Sequence, residues 1–307
     1  MPKTLKYSIV MFLAGCCYGI EIPAVRIIYA QGFSTAEVMV FQYGVGVVLL
    51  VVIVALFSRQ KTPLKAMLKL CCVGVVAAGV SFSYYRALDL LPSATAVTLL
   101  FQTVWMGAVV QAVRDRKLPN ITIVLSIIVV MAGTVLATGV LEGGTEGSSS
   151  LDPIGIFWGL MSAVFYTAFI VASSKTATEL PATNRTFFTT LGSFLISFSL
   201  CPMFFTDTLV PHITDMRFIV PGVILGIVGI LLPVFFIASS SPHLPNGLST
   251  IMVSSELPSG ILCAVLLMGD TVSFLVVLGV VIILAGIVLS QSADLRTYFA
   301  AGRTSKH

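Results

Sequence analysis

Long apolar blocks alternate with short polar stretches along most of this chain. A membrane-crossing helix needs about 20 largely apolar residues in a row. Ten blocks come close to or exceed that length: 7–30, 34–57, 70–89, 93–113, 120–140, 154–174, 184–206, 218–239, 247–267 and 272–292. The pattern predicts an all-α membrane protein of ten transmembrane helices. Most connections are short. The longest polar one, LEGGTEGSSSLDP at 141–153, is rich in Gly and Ser and reads as a flexible linker between two halves.

Composition supports the same class. Of 307 residues, 57% are hydrophobic and 10% charged, with a mean hydropathy of +1.04. Soluble domains carry about 25% charged residues. So much apolar surface cannot be hidden inside one water-soluble globule, and lipid is the expected solvent for most of the chain. The net charge of +4 is small and the basic residues sit between apolar spans rather than in a stripe, so no nucleic-acid partner is expected. Six cysteines lie in or beside apolar blocks and read as small buried hydrophobes. The amino-terminal MPKTLK precedes an apolar run with no small-residue cleavage site, so it reads as the start of the first span.

Charge distribution sets the expected orientation. With the amino terminus in the cytoplasm, Lys3, Lys6, Arg59, Lys61, Lys65, Lys69, Arg114, Arg116, Lys117, Lys175, Arg185, Arg296, Arg303 and Lys306 fall on that side. Only Arg26, Arg86 and Arg217 fall on the other. The linker holds Glu142, Glu146 and Asp152 without a basic residue, as an external loop should. An even number of spans returns the carboxyl terminus to the cytoplasm, so both termini are expected inside an inner or plasma membrane. Asn120-Ile-Thr and Asn184-Arg-Thr match a glycosylation pattern but fall on the cytoplasmic side.

The chain also repeats. Shifted by 153 residues, Leu91-Pro92 falls on Leu244-Pro245 and Gly107 on Gly260. IVLSIIVVMAGTVLAT (123–138) falls on VVLGVVIILAGIVLSQ (276–291). The expected organisation is a first five-helix repeat over 1–140, an external linker over 141–153, a second repeat over 154–292 and a cytoplasmic tail over 293–307. Five is odd, so the second copy must enter the membrane upside down. Inverted repeats suit alternating access about a midplane site.

Two stretches resemble the drug/metabolite transporter superfamily in its EamA-type branch. YYRALDLLPSATAVTLLFQTVW (84–105) is similar to that family's third-to-fourth-span pattern. SSELPSGILCAVLLMGDTVSFLVVLGVVIILAGIVLS (254–290) is similar to its ninth and tenth spans, where an acid and a proline open the ninth and a Gly-acidic pair closes it. Here those are Glu256, Pro258 and Gly269-Asp270. Leu257 separates the acid from the proline, which are usually adjacent, and Asp270 stands where Glu is usual. The resemblance implies the fold and a transport function, most readily export of an amino acid or related compound.

Charges inside a bilayer are costly, about 2.5–3.5 kcal/mol at the centre on insertion scales, and mark function unless paired. Two acids lie well inside spans: Glu21 and Glu256. Glu21 either lines the path, attracting a cationic group or a proton, or pairs with Arg26 or Arg86. Glu256 either senses a proton or cation beside a cavity, or accepts from Ser254, Ser255 or backbone freed by Pro258. Both acids are candidate proton-coupling groups. Pro23 and Pro258 are candidate helix breaks. Tyr18 shares a helix face with Glu21. Tyr18, Tyr84, Tyr85, Phe101, Trp105, Trp158 and Tyr166 could form an aromatic cage, with Gln102 on the face of Trp105. Pro202, Pro221 and Pro233, with Gly222, Gly226 and Gly229, make the seventh and eighth spans bendable.

Enzyme chemistry has no motif here: HExxH, GxSxG and the phosphate-binding GxxxxGK[ST] pattern are all missing. His212, His243 and His307 lack ligand spacing, so no metal or cofactor is expected. The expectation is a secondary active transporter of a small polar or amphipathic metabolite, acting as a monomer or homodimer in a lipid bilayer with possible proton coupling. Within transport, the rivals are uptake of a quaternary amine such as choline and efflux of cationic drugs. A membrane enzyme or a lipid flippase is the rival of another class.

Overall fold

A computed structural model describes residues 3–30, 35–57, 60, 62–91, 93–139, 152–204, 216–269 and 272–291. Most of the linker, the tail beyond Gln291, Asp270 and the side chain of Arg26 lie outside the described residues. The described elements are all helical. In chain order they are α1 (Lys3–Ala30), α2 (Thr35–Phe57), α3 (Leu64–Leu90), α4 (Ser93–Leu100), α5 (Thr103–Asp115), α6 (Ile121–Ala137), α7 (Pro153–Lys175) and α8 (Ala182–Phe204). Next comes α9 (Met216–Leu225), a π-helical turn (Gly226–Leu231) and α10 (Leu232–Ser240). A 3-10 turn (Ser241–His243), α11 (Asn246–Val253), α12 (Glu256–Met268) and α13 (Phe274–Ser290) complete the fold. Among the described residues, seven helical stretches are long and apolar enough to cross a membrane, and α6 and α13 are shorter apolar helices. At 1.5 Å per residue their 17 residues reach about 25 Å.

Local chemistry sets several of the ends. Asn120 caps α6 by accepting from the Thr122 amide at 3.2 Å, and Asp152 caps α7 from Ile154 at 2.8 Å, with Pro153 in the first turn where its missing N–H costs nothing. Ser273 caps α13 through the Val276 amide at 3.3 Å. Gly269 ends α12 at φ 70°, a left-handed backbone that a glycine takes without strain.

Two blocks read as continuous spans are broken. Between α4 and α5, the Gln102 amide turns to the Leu99 carbonyl at 3.1 Å, and the Gln102 side chain takes up the freed Thr98 carbonyl at 3.1 Å. Between α11 and α12, the Ser254 amide turns to Ile251 at 3.2 Å, and the Ser254 hydroxyl takes up the Thr250 carbonyl at 3.2 Å. The repeat is visible in the element bounds: α4, α5 and α6 begin at 93, 103 and 121, and α11, α12 and α13 at 246, 256 and 274. Pro258 lies in the first turn of α12, just past the break. Pro23 does not interrupt its helix: α1 runs from Lys3 to Ala30 around it, leaving the Gly19 carbonyl without its usual helical donor.

Close helix contacts run through small residues, as in membranes, where van der Waals packing drives association. Gly133 of α6 lies against Gly279 and Ile283 of α13. Gly74 of α3 lies against Thr189 and Ser193 of α8. Gly15 and Gly19 seat α1 on the α11–α12 junction. Large apolar side chains such as Val48, Leu56, Leu68, Leu266 and Phe274 face outward, as a lipid-facing surface requires. Cys72 is exposed, whereas Cys16, Cys17, Cys71 and Cys263 are half-buried, and all five are free.

One end of the molecule is tightly closed. Tyr7 of α1 stacks on His243 with ring centroids 3.9 Å apart. Gln291 donates to Ser8 at 3.0 Å, Ser174 to Asn246 at 3.3 Å, and the Gly247 amide to Gln111 at 3.0 Å. Asn184, in the glycosylation-like Asn-Arg-Thr, is buried and donates to the Gln60 carbonyl and the Thr62 hydroxyl.

Candidate functional site

A cavity of about 1060 Å³ occupies the middle of the fold. Side chains from both halves line it. Tyr18, Glu21 and Val25 come from α1, Tyr43 from α2, and Ala77, Ser81, Tyr84 and Tyr85 from α3. Phe101 comes from the α4–α5 break, Tyr166 and Phe169 from α7, Gly229 from the π-helical turn, and Glu256, Leu257 and Gly260 from α12. The lining also takes in Asp89 near the end of α3, Thr138 just after α6 and Val272 just before α13. These positions lie at the end of the molecule opposite the Tyr7–His243 closure.

The two acids reach the cavity by different routes. Glu256 is the first residue of α12, made available by the break at Ser254–Ser255. Its carboxylate accepts from the Tyr166 hydroxyl at 3.3 Å, and the helix start itself favours a negative charge. Glu21 lies mid-helix, its carboxyl against Gly229: a Cβ there would sit 2.9 Å from Glu21 Cδ. The π-helical turn that presents Gly229 is closed by a Leu232 amide bonded to the Ile227 carbonyl, five residues back. Pro233, which has no N–H to give the Gly229 carbonyl, follows it. Tyr18 meets Tyr166 edge-to-face at 6.1 Å, so the rings connect the neighbourhoods of the two acids. Glu21 and Glu256 lie within each other's electrostatic reach.

Of the residues singled out from sequence, the cavity brings together Tyr18, Glu21, Tyr84, Tyr85, Phe101, Tyr166 and Glu256. Gln102, Trp105 and Trp158 are not among its lining. Trp105 is 40% exposed on the outer surface, and its indole N–H is satisfied by Gln102 Oε1 at 2.9 Å. Trp158 packs edge-on against Phe82 and Phe157, at 5.5 and 5.4 Å between centroids. Arg86 pairs with Asp89 at 3.2 Å, three residues along its own helix.

Other residues entered only with the fold. Tyr43 lines the cavity and shares a hydrogen bond with Ser81 at 3.0 Å. Gln42, 1% exposed, lies beside Glu21 as a polar neighbour of its carboxyl. Arg185 is 4% exposed near the start of α8 and donates to the carbonyls of Ser173, Thr176 and Ala238, at or near the ends of α7 and α10. The available signal for Gln42 and Arg185 was polarity inside or at the edge of an apolar block.

Comparison with known proteins decides the family. The model of the EamA-like transporter family matches the sequence twice, over residues 5–139 and 153–291. The chain belongs to the EamA-like transporter family. It is therefore a multi-pass membrane transporter in which one family unit occurs twice, with a small-molecule substrate and a lipid surround. Comparison of the sequence with curated proteins gives no match. A solved structure described as "Crystal structure of protein" is similar in fold, with a TM-score of 0.78 and 17% identity over 95% of this chain and 98% of that one.

Proposed function

We propose that this EamA-family protein is a ten-helix secondary transporter, its two five-helix repeats inserted in opposite senses. It carries a small polar or amphipathic metabolite bearing an amino or ammonium group by alternating access, with Glu21 and Glu256 as the proton-coupling groups. Amino acids, choline-like amines and cationic drugs all carry such a group. The observation that supports this reading is the central cavity, walled by both repeats and holding both acids. Opposite insertion is supported by the ends that meet. The finish of α5, the last part of the broken span α4–α5, and the start of α11, the first part of the equivalent span α11–α12, lie together at the closed end, where Gln111 accepts from Gly247. Lys6, Arg114, Lys175 and Arg185 cluster toward that end, which makes it the cytoplasmic one by charge bias. The conformation is then closed inward and open outward, with both termini in the cytoplasm.

Flux into proteoliposomes tests the reading, with amino acids, choline and cationic drugs as the panel, with and without a pH gradient. The wild type is expected to give saturable flux of at least one of them. Glu21→Gln and Glu256→Gln are expected each to lower flux at least about tenfold and to flatten its response to the gradient. Flux and pH response unchanged in both variants would remove the acids from the mechanism. Alternating access has a separate signature. A cysteine at Thr138, at the end opposite the closure, and one at Asn246, at the closed end, are expected to change in opposite directions when substrate is added, read by maleimide labelling above the native background. Parallel changes would rule the rocking motion out.

A further inference from the structure

The transport reading leaves the solute's chemistry open, and the cavity wall narrows it. The described lining carries three acids, Glu21, Glu256 and Asp89, and no lysine, arginine or histidine. Asp89 already has Arg86 as a partner at 3.2 Å. Among the described residues, no basic side chain pairs with Glu21 or Glu256. Five tyrosines, Tyr18, Tyr43, Tyr84, Tyr85 and Tyr166, stand around the same volume, and most of the remaining wall is aliphatic.

We propose that this cavity selects organic cations: amines and quaternary ammonium compounds with an aryl or alkyl body and no free carboxylate. Two carboxylates in a wall of low polarity attract one cation strongly, because Coulomb interactions are little screened there. The tyrosine faces add a second attraction of the same sign. The aliphatic wall takes up the apolar body, and the volume is at the upper end of what drug-sized ligands fill, roughly 300–1,000 Å³. A zwitterionic amino acid would find two acids for its ammonium but, in the described lining, only neutral hydroxyl donors and no cation for its carboxylate, which would face two like charges. The start of α12 could receive an anion through its free N–H groups, but Glu256 already occupies that first turn.

The inference rests on the transport reading for the direction of travel but not for the binding, so the two are tested apart. Calorimetry on the full chain in lipid nanodiscs compares phenylalanine with its methyl ester, phenethylamine, benzyltrimethylammonium and N-acetylphenethylamine. The three cations lacking a carboxylate are expected to bind at least about tenfold tighter than phenylalanine, and the neutral amide not to bind. Glu21→Gln and Glu256→Gln are each expected to erase that preference. Phenylalanine binding as tightly as phenethylamine, the neutral amide binding equally well, or no cation binding at all would each overturn the inference on wild-type protein alone. Counterflow in proteoliposomes then separates the claims. Cations that bind without crossing sink the transport reading and leave the selectivity standing, while preferential exchange of zwitterions does the reverse.

Discussion

Gly19→Val is expected to abolish transport and lower the melting temperature in detergent. Gly15 and Gly19 lie one turn apart on α1 and let its backbone settle on the α11–α12 junction. A Cβ at position 19 would run into the Glu256 carbonyl oxygen and the Ser259 hydroxyl, and would lie 2.6 Å from the Gly260 amide nitrogen. The Ser259 side chain could rotate, but the two backbone atoms belong to the first turns of α12 and cannot yield alone. The helices must part, at a cost of about 1–3 kcal/mol for overpacking. Parting them also removes the Phe12 carbonyl from the Ser255 hydroxyl that holds it at 2.6 Å, and separates Glu21 from Glu256. Gly44→Ala is the matched control, since its Cβ would meet only the Phe194 ring, at 3.4 Å. Wild-type flux in Gly19→Val would contradict the packing of α1 on α12.

Arg185→Met is expected to destabilise the fold more than any substitution at the cavity wall. Its guanidinium supplies the donors for Ser173, Thr176 and Ala238, three carbonyls at or near the ends of α7 and α10. Helix ends of this kind carry negative partial charge and orphan acceptors, which a cation satisfies. Methionine keeps much of the volume and removes every donor. Each buried carbonyl left unpaired costs about 1–3 kcal/mol. Thermal unfolding in detergent should show a loss of several degrees. Arg185→Lys should recover only part of it, because an ammonium cannot fork across three acceptors on two helices. An unchanged midpoint in Arg185→Met would show that those carbonyls find other donors.

Much of the fold could be read from the chain. Apolar blocks, basic clusters and the 153-residue repeat all reflect local composition, and membership of the EamA-like family agrees with the resemblance carried by 84–105 and 254–290. The helix breaks were harder to see. Pro258 marks one of them, but at the same place in the first repeat stands Trp105, and the chain breaks there too. Proline is therefore not the shared cause. Side chains that take up the freed carbonyls, Gln102 for Thr98 and Ser254 for Thr250, are common to both. Pro23, by contrast, breaks nothing, since one missing donor inside a long packed helix is tolerated.

What the amino-acid sequence determined by itself was the solvent, the helical class and the duplication, because each depends only on how many apolar residues occur in a row and how the pattern recurs. Tertiary structure alone decided which faces meet water. In a soluble helix, polarity marks the outer face, but here lipid and protein interior are equally apolar and periodicity is silent. Trp105 and Tyr84 look alike in the sequence, yet one faces outward and the other the cavity. Only the packing of α1, α3, α7 and α12 around a common space separates them.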